Sequence, residues 1–82
     1  MNIEAVLSRF ASDPEILNGK PCVKGTRIPV WLILGMLGGG MTEPEVLNSY
    51  PSLTEEDIHA CLKFARLKMD YERILQNELF IG

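Results

Sequence analysis

Apolar residues in the middle of the chain form one nearly continuous run that ends at a row of glycines. Every position from 30 to 37 is apolar except Gly35, and residues 38–40 are all glycine. Proline favours the first position of a helix and glycine favours its end, so a short helix is predicted from Pro29 to Leu37. A helix that is apolar nearly all round is typically buried, and we expect this one to be central.

Two further helices are predicted to begin at threonine residues that carry the same local signature. Thr42 is followed three residues later by Glu45, and Thr54 by Asp57. This spacing is typical of a capping box, in which each side chain hydrogen-bonds to the other residue's backbone N–H. Apolar pairs flank both boxes at the positions of a hydrophobic staple: Met41 with Val46, and Leu53 with Ile58.

The second helix is predicted to end near Asn48, before Tyr50-Pro51, whereas the third has no breaker until near the chain end. At about 100° per residue, the third helix has two nearly opposite apolar faces. One face contains Ile58, Cys61, Leu62, Ala65 and Met69. The other contains Phe64, Leu67, Tyr71, Ile74 and Leu75.

The first of these faces can serve the chain's own core, and the second requires another covering surface. We expect that surface to be a second copy of the chain or a partner protein, with Leu79 and Phe80 adding to the interface. The alternative is that the N-terminal segment folds over the same face.

Turn signals dominate the N-terminal third of the chain. Asn18-Gly19 is a strong turn dipeptide, and Gly25 suits a second turn between Cys22-Val23 and Arg27-Ile28. These features predict a β-hairpin or β-arm. Apolar residues between positions 3 and 11 fit either a helix or a short strand, and both remain open.

The predicted fold is mainly α, with a helix-turn-helix three-helix core and a short N-terminal β-hairpin or β-arm. We expect a single domain in three segments: 1–29 as N-terminal segment and arm, 30–70 as core, and 71–82 as a helical tail. A chain of 82 residues with 46% hydrophobic and 23% charged residues is globular but small, which favours a homodimer.

The chain has no apolar run of about 20 residues that could span a membrane. No basic stretch precedes its first apolar patch, as it would in a signal peptide, so we expect a cytoplasmic protein.

Basic charge is concentrated in the arm, although the net charge is -3. Lys20, Lys24 and Arg27 lie in a segment, residues 16–42, that has no acidic residue. A helix-turn-helix protein usually places the start of its last helix in the DNA major groove. Here that start carries Glu55, Glu56 and Asp57, which phosphates would repel. If DNA is bound, we therefore expect the arm to bind it, with Lys63 and Arg66 as further candidates.

No catalytic, metal or cofactor site is predicted. Lys24 precedes Gly25-Thr26, an order that does not match a phosphate-binding P-loop. His59 and Cys61 are two residues apart on a predicted helix and point to different sides, so they do not form a catalytic dyad. Cys22 and Cys61 are far apart in sequence and are interpreted as small buried apolar residues. We expect a binding protein that is not an enzyme.

The order of motifs resembles a known family. The stretch "DPEILNGKPCVKGTRIPVWLIL", followed by "GGMTEPEVLNSYPSLTEEDIHACLKFA", is similar to the small bacterial and archaeal family known as domain of unknown function 433. The resemblance covers residues 13–65. Its specific motifs are Gly19-Lys20-Pro21, Gly25-Thr26-Arg27, Tyr50-Pro51-Ser52-Leu53-Thr54 and Asp57-Ile58. Asn18 and Cys22 stand where the family pattern suggests glycine and an aliphatic residue.

The resemblance implies a fold similar to helix-turn-helix proteins and the role of an antitoxin that neutralises a PIN-like ribonuclease toxin. We add to this role, as an expectation of our own, autoregulatory binding to promoter DNA. PIN-type sites are rings of carboxylates around a divalent metal, so an inserted cation could pair with them, and Arg73 is the candidate. The alternative for Arg73 is a solvated side chain paired with Asp70. The alternatives for the whole chain are a stand-alone DNA-binding regulator and a structural homodimeric module.

Overall fold

A computed structural model of the chain describes residues 3–15 and 17–81, with side chains for residues 3–15 and 18–70. Its helices are α1 (Ile3–Leu7), α2 (Val30–Gly38), α3 (Glu43–Ser49) and α4 (Glu55–Ile81). Its strands are β1 (Phe10–Ala11), β2 (Cys22–Val23) and β3 (Ile28–Pro29). The chain is therefore mainly α with a small β-sheet near its N-terminus, as the sequence predicted.

The three strands form an antiparallel sheet in the order β1-β2-β3. The predicted hairpin corresponds to β2 and β3, and its turn contains Arg27 in a left-handed conformation (φ 59°). β1 adds a third strand, with Phe10 opposite Val23. Residues 3–11 therefore contain a helix and then a strand, and neither assignment alone describes them.

Pro29 precedes α2 and is not its first residue. Its backbone is extended (φ -74°, ψ 148°), and it pairs with Cys22 as the last residue of β3. The helix begins one residue later than predicted because the sheet holds Pro29. At the other end, the predicted glycine stop is confirmed, since α2 ends at Gly38.

Both capping boxes are confirmed. The Thr42 hydroxyl accepts from the Glu45 N–H at 3.3 Å, and the Glu45 carboxylate accepts from the Thr42 N–H at 3.1 Å. The Thr54 hydroxyl accepts from the Asp57 N–H at 3.2 Å, and the Asp57 carboxylate accepts from the Thr54 N–H at 3.0 Å. Each box satisfies N–H groups that the start of a helix leaves without a partner. α3 ends at Ser49, one residue beyond the predicted position.

The core lies where α2 packs against β3, α3 and α4. The buried cluster contains Val23, Ile28, Val30, Ile33, Val46, Leu53, Ile58 and Cys61. Both cysteines are buried free thiols, which confirms their interpretation as small apolar residues. The staple residues Val46, Leu53 and Ile58 belong to this cluster, so the signals that start α3 and α4 also position these helices on α2.

The predicted core face of α4 is partly wrong. Ile58 and Cys61 are fully buried, but Leu62 is 44% exposed and Met69 is 66% exposed. Phe64, predicted to lie on the opposite face, packs on the core, and its ring centroid is 5.1 Å from that of Phe10. The buried face is rotated toward Phe64 because the N-terminal segment packs there, in agreement with the alternative stated for this position.

No helix in the described part of the chain combines the length and apolar character that crossing a membrane requires.

Candidate functional site

An apolar surface lies where α2, α4 and the approach to β2 meet. It is lined by Lys20, Pro21, Val30, Trp31, Leu34, Phe64, Ala65, Lys68 and Met69, and we call it the Trp31 surface. Trp31 and Met69 are its most exposed apolar members, at 54% and 66%. α2 is therefore central, as expected, since it packs on α3, α4 and β3, but it is not buried on every side. Val30 and Ile33 face the core, and Trp31 faces outward.

Two lysines flank the Trp31 surface. The Lys20 ammonium lies 5.8 Å from the centroid of the Trp31 ring, within reach of a cation–π interaction. Lys68 lines the same surface from α4. Tryptophan and methionine are enriched in protein-binding surfaces, and here the two lysines add positive charge at the edge of the apolar area. The arrangement is suited to a partner that is apolar at its centre and acidic at its edge.

The other predicted basic residues lie elsewhere on the molecule. Lys24 and Arg27 line a cleft beside the β2–β3 turn, together with Asp13. They follow β2, whereas Lys20 precedes it, so the arm presents its three basic residues at opposite ends of a strand. Lys24 and Arg27 line the same cleft at the turn, but Lys20 lies on the Trp31 surface, so the three basic residues do not form the single basic group that was expected.

Lys63 and Arg66 line a cleft between α1 and α4. The Arg66 Nε atom lies 3.8 Å from the Asp70 carboxylate one turn along the helix. The five basic residues predicted to contact DNA therefore occupy three separate places. At the start of α4, Glu55 and Glu56 are exposed, so the negative charge that argues against major-groove insertion is at the surface.

Comparison with known proteins identifies the family to which the chain belongs. A sequence profile described as "Protein of unknown function (DUF433)" matches residues 11–65, more than half of the chain. The chain belongs to the DUF433 family. Its fold is also similar to the crystal structure of a DUF433 member protein from Anabaena variabilis ATCC 29413, at a TM-score of 0.69 and 27% identity. That similarity covers 92% of this chain and 72% of the other.

A curated relative is the uncharacterized protein y4eO of Sinorhizobium fredii (strain NBRC 101917 / NGR234), 37% identical over 64 residues. The match covers 78% of this chain and 29% of y4eO, so the DUF433 chain spans less than a third of that relative's length.

Asn18, where the DUF433 pattern suggests glycine, has a left-handed backbone (φ 57°). Asparagine tolerates this conformation better than most residues, so the departure from glycine is compatible with the turn.

Several residues predicted for partner binding lie where no side chain is described. The α4 backbone is helical through Tyr71, Arg73, Ile74, Leu75, Leu79 and Phe80, but their side chains are outside the described residues. Phe64 and Leu67 are half-buried, and Leu67 lines the cleft next to α1. In this DUF433 chain the N-terminal segment thus lies along the part of the predicted interface that is described.

Sequence reasoning missed Trp31 and Lys68 as members of a surface. Trp31 was interpreted as part of a buried helix because its neighbours are apolar. At about 100° per residue, however, it lies about 100° from Val30 and about 160° from Ile33 around the helix. The length of α2 could have predicted this exposure. A domain of this size has too little chain to cover a nine-residue apolar helix on every side, so at least one of its side chains must face solvent.

Neither cysteine is a candidate nucleophile. Burial, and then the nearby Asp57 charge, raises the pKa of the Cys61 thiol to about 11. A thiol with this pKa remains protonated at neutral pH, and the thiolate is the reactive form. Cys22 is buried in the sheet, and its Sγ atom lies 3.5 Å from the Lys20 carbonyl oxygen.

Proposed function

We propose that this chain is the antitoxin half of a toxin–antitoxin pair and binds a PIN-like ribonuclease through the Trp31 surface. The observation that carries the proposal is an exposed tryptophan and methionine framed by Lys20 and Lys68. Membership of the DUF433 family supports the choice of partner through the resemblance to antitoxins. Binding, and not catalysis, is the activity assigned to the chain.

Charge complementarity supports this choice of surface. A PIN-type ribonuclease carries a ring of carboxylates around its metal site, and two lysines at the edge of an apolar patch would pair with carboxylates at the rim of such a cleft. Trp31 would supply the buried anchor, because tryptophan is enriched among the residues that dominate binding energy. Arg73, the cation suggested above for contact with the toxin's carboxylates, belongs to the later part of α4.

The test uses the single tryptophan of the chain as its probe. The full chain is titrated with the product of the adjacent gene, and Trp31 emission is followed while light scattering gives the mass of the complex. A blue shift with saturable formation of a mixed complex is expected, because Trp31 would leave water. A mixed complex without any change in Trp31 emission would move the interface to another surface.

Matched variants separate the surface from the rest of the molecule. Trp31→Ala is expected to weaken binding by about 2 kcal/mol or more, as is typical of a tryptophan hot spot. Leu62→Ala is the control, because Leu62 is a 44% exposed apolar residue of α4 that does not line the Trp31 surface. Equal losses in both variants would contradict the assignment. A homodimer that does not bind the neighbouring product would favour the structural dimer module.

A second function, binding to the promoter of its own gene, is proposed for the β2–β3 turn. Lys24 and Arg27 are exposed and adjacent at this turn, and a dimer would present the pair twice. Such contacts would go to phosphates, so binding would weaken as salt rises. This function is also compatible with a stand-alone regulator that has no toxin.

DNA binding is tested by measuring promoter affinity at several salt concentrations. Lys24→Ala and Arg27→Ala are each expected to weaken binding and to reduce the salt slope by about one per contact removed. Lys68→Ala is the control, because Lys68 is an exposed lysine of the Trp31 surface that is not proposed to contact DNA. Absence of binding at low salt would remove DNA from the function.

We place this activity in the cytoplasm. The buried thiols of Cys22 and Cys61 support this location, because they are unpaired and a reducing compartment preserves thiols.

A further inference from the structure

A histidine and two glutamates from two helices converge at the surface between α3 and α4. Glu43 is the first residue of α3, Glu55 is the first residue of α4, and His59 lies one turn further along α4. One ligand atom from each residue, a carboxylate oxygen or an imidazole nitrogen, lies within 4.8 Å of the other two. We propose that these three side chains bind one Zn²⁺ ion, a site that is independent of the proposed antitoxin function.

The distances suit an ion better than direct hydrogen bonds. The His59 Nε2 atom lies 3.4 Å from a Glu43 oxygen and 4.0 Å from a Glu55 oxygen. Ordinary N–H···O hydrogen bonds are about 2.7–3.2 Å long, so both separations exceed that range. Two ligands that are each about 2.0–2.2 Å from a tetrahedral Zn²⁺ are about 3.4 Å apart. The His59–Glu43 pair has this spacing, and a small rotamer change would bring Glu55 to it.

The types of ligand atom in the cluster also favour Zn²⁺ over other divalent cations. One imidazole nitrogen and two carboxylate oxygens suit Zn²⁺, whereas Mg²⁺ and Ca²⁺ prefer oxygen ligands alone. The three side chains are between 35% and 64% exposed, so the ion could keep water at its fourth position. Two carboxylates also balance the charge of the ion.

The site would add a link between α3 and α4, two helices that already contact each other. Glu43 belongs to α3 and the other two ligands to α4, so the bound ion would link the helices on either side of the 50–54 connection. Because binding to the folded state alone stabilises it by mass action, Zn²⁺ is expected to raise the unfolding temperature. The sequence did not predict the site because Glu43 is 16 residues away from His59.

The chain contains one histidine, which allows a direct test. The untagged full chain is titrated with ZnCl₂ by calorimetry, and the imidazole signals of His59 are followed by NMR. One ion per chain and a shift of the His59 ring signals that saturates at the same ratio are expected. Saturable binding that leaves the His59 signals unmoved, or no binding, would overturn the proposal.

Variants identify the ligands. His59→Gln and Glu55→Gln are each expected to weaken Zn²⁺ binding about tenfold or more, since loss even of an outer-shell partner costs 10–100-fold. Glu15→Gln is the control, because it removes the same charge from an exposed carboxylate outside the cluster. Exposed positions such as these are not expected to unfold the chain, and circular dichroism checks this. Retained affinity in His59→Gln would contradict the site.

Discussion

The starts of α3 and α4 use the same threonine-based capping box in two different surroundings. At α3, Glu45 is exposed and its carboxylate contacts Thr42 alone among the described hydrogen bonds. At α4, Asp57 is only 8% exposed, and each of its two carboxylate oxygens has a different hydrogen-bond partner. Oδ2 accepts from the Thr54 N–H, and Oδ1 accepts from the Arg9 Nη1 atom at 3.1 Å.

The difference shows how a local motif becomes a tertiary link. The box at α3 organises one helix turn, whereas the box at α4 also holds the N-terminal segment, 48 residues away in sequence, against the helix. The same segment places Phe10 on Phe64, so an ion pair and an aromatic contact anchor it to α4 together. Removing the two boxes should therefore have unequal consequences.

The largest effect is expected from Asp57→Ala. The variant loses the bond to the Thr54 N–H and leaves Arg9 without its carboxylate, so the free energy of unfolding should fall by about 2–3 kcal/mol. Urea denaturation followed by circular dichroism measures the change. A loss no greater than that of Thr42→Ala would mean that the link to Arg9 contributes nothing.

Removing the threonine of each box should have an intermediate effect. Thr42→Ala and Thr54→Ala are each expected to reduce the free energy of unfolding by about 1 kcal/mol, the usual loss for a helix cap. Thr54→Ala should be the more destabilising, because the hydrogen bond it removes is partly buried. Serine at either position should restore most of the stability. A greater loss of stability in Thr42→Ala than in Thr54→Ala would contradict the difference described between the two boxes.

The direct Arg9–Asp57 interaction should be smaller still. Arg9 is 41% exposed at its side chain, so solvent screens the pair, and a coupling free energy of about 0.5–1 kcal/mol is expected. A double-mutant cycle with Arg9→Ala and Asp57→Ala measures this coupling. Arg66→Ala is the control, because Arg66 pairs within its own helix. Zero coupling would assign the effect of Asp57→Ala to capping alone.

The smallest effect is a pH dependence at the α3 box. The hydrogen bond from the Thr42 backbone N–H, and then that from its hydroxyl, lowers the pKa of Glu45 below its ordinary value of 4.5. A lowered pKa in the folded state means that ionised Glu45 stabilises the fold above pH 4.5 and loses this contribution as pH falls through the folded-state pKa. Glu45→Gln should lack this dependence.

Stability measured from pH 7 to pH 3 for the wild type and Glu45→Gln checks this prediction. The difference between the two proteins should be constant above pH 5 and should shrink as the pH falls below 4.5. A difference that grows toward low pH would contradict the sign of the pKa shift.

Features that depend on neighbouring residues were predicted well. Both capping boxes, the glycine stop of α2 and the burial of both cysteines were predicted and are confirmed. Their partners lie within a few residues or depend only on side-chain type, so the sequence carries the whole interaction. The start of α2 was placed one residue early, because Pro29 belongs to a strand whose partner precedes it by seven residues.

Features that depend on packing between distant segments were predicted less well. The helical wheel separates the apolar positions of α4 by angle, but it does not say which elements cover each side or how far along the helix they reach. Phe64 is half-buried because Phe10 packs on it, whereas Met69 is exposed although it shares the wheel position of Ile58. For the same reason the sequence did not show that the basic residues of the arm lie apart. Lys20 packs on Trp31, whereas Lys24 lies at the other end of β2.

The local sequence was enough to determine where α3 and α4 start, which residues cap them, and that the cysteines are buried. These outcomes follow from hydrogen bonds within one turn and from the cost of exposing apolar side chains to water. Packing between distant segments set the rest: Arg9 reaches Asp57, Trp31 faces outward between two lysines, and Glu43 meets His59. Each of these pairs joins different elements, so their geometry exists only after the chain has closed its loops around the common core.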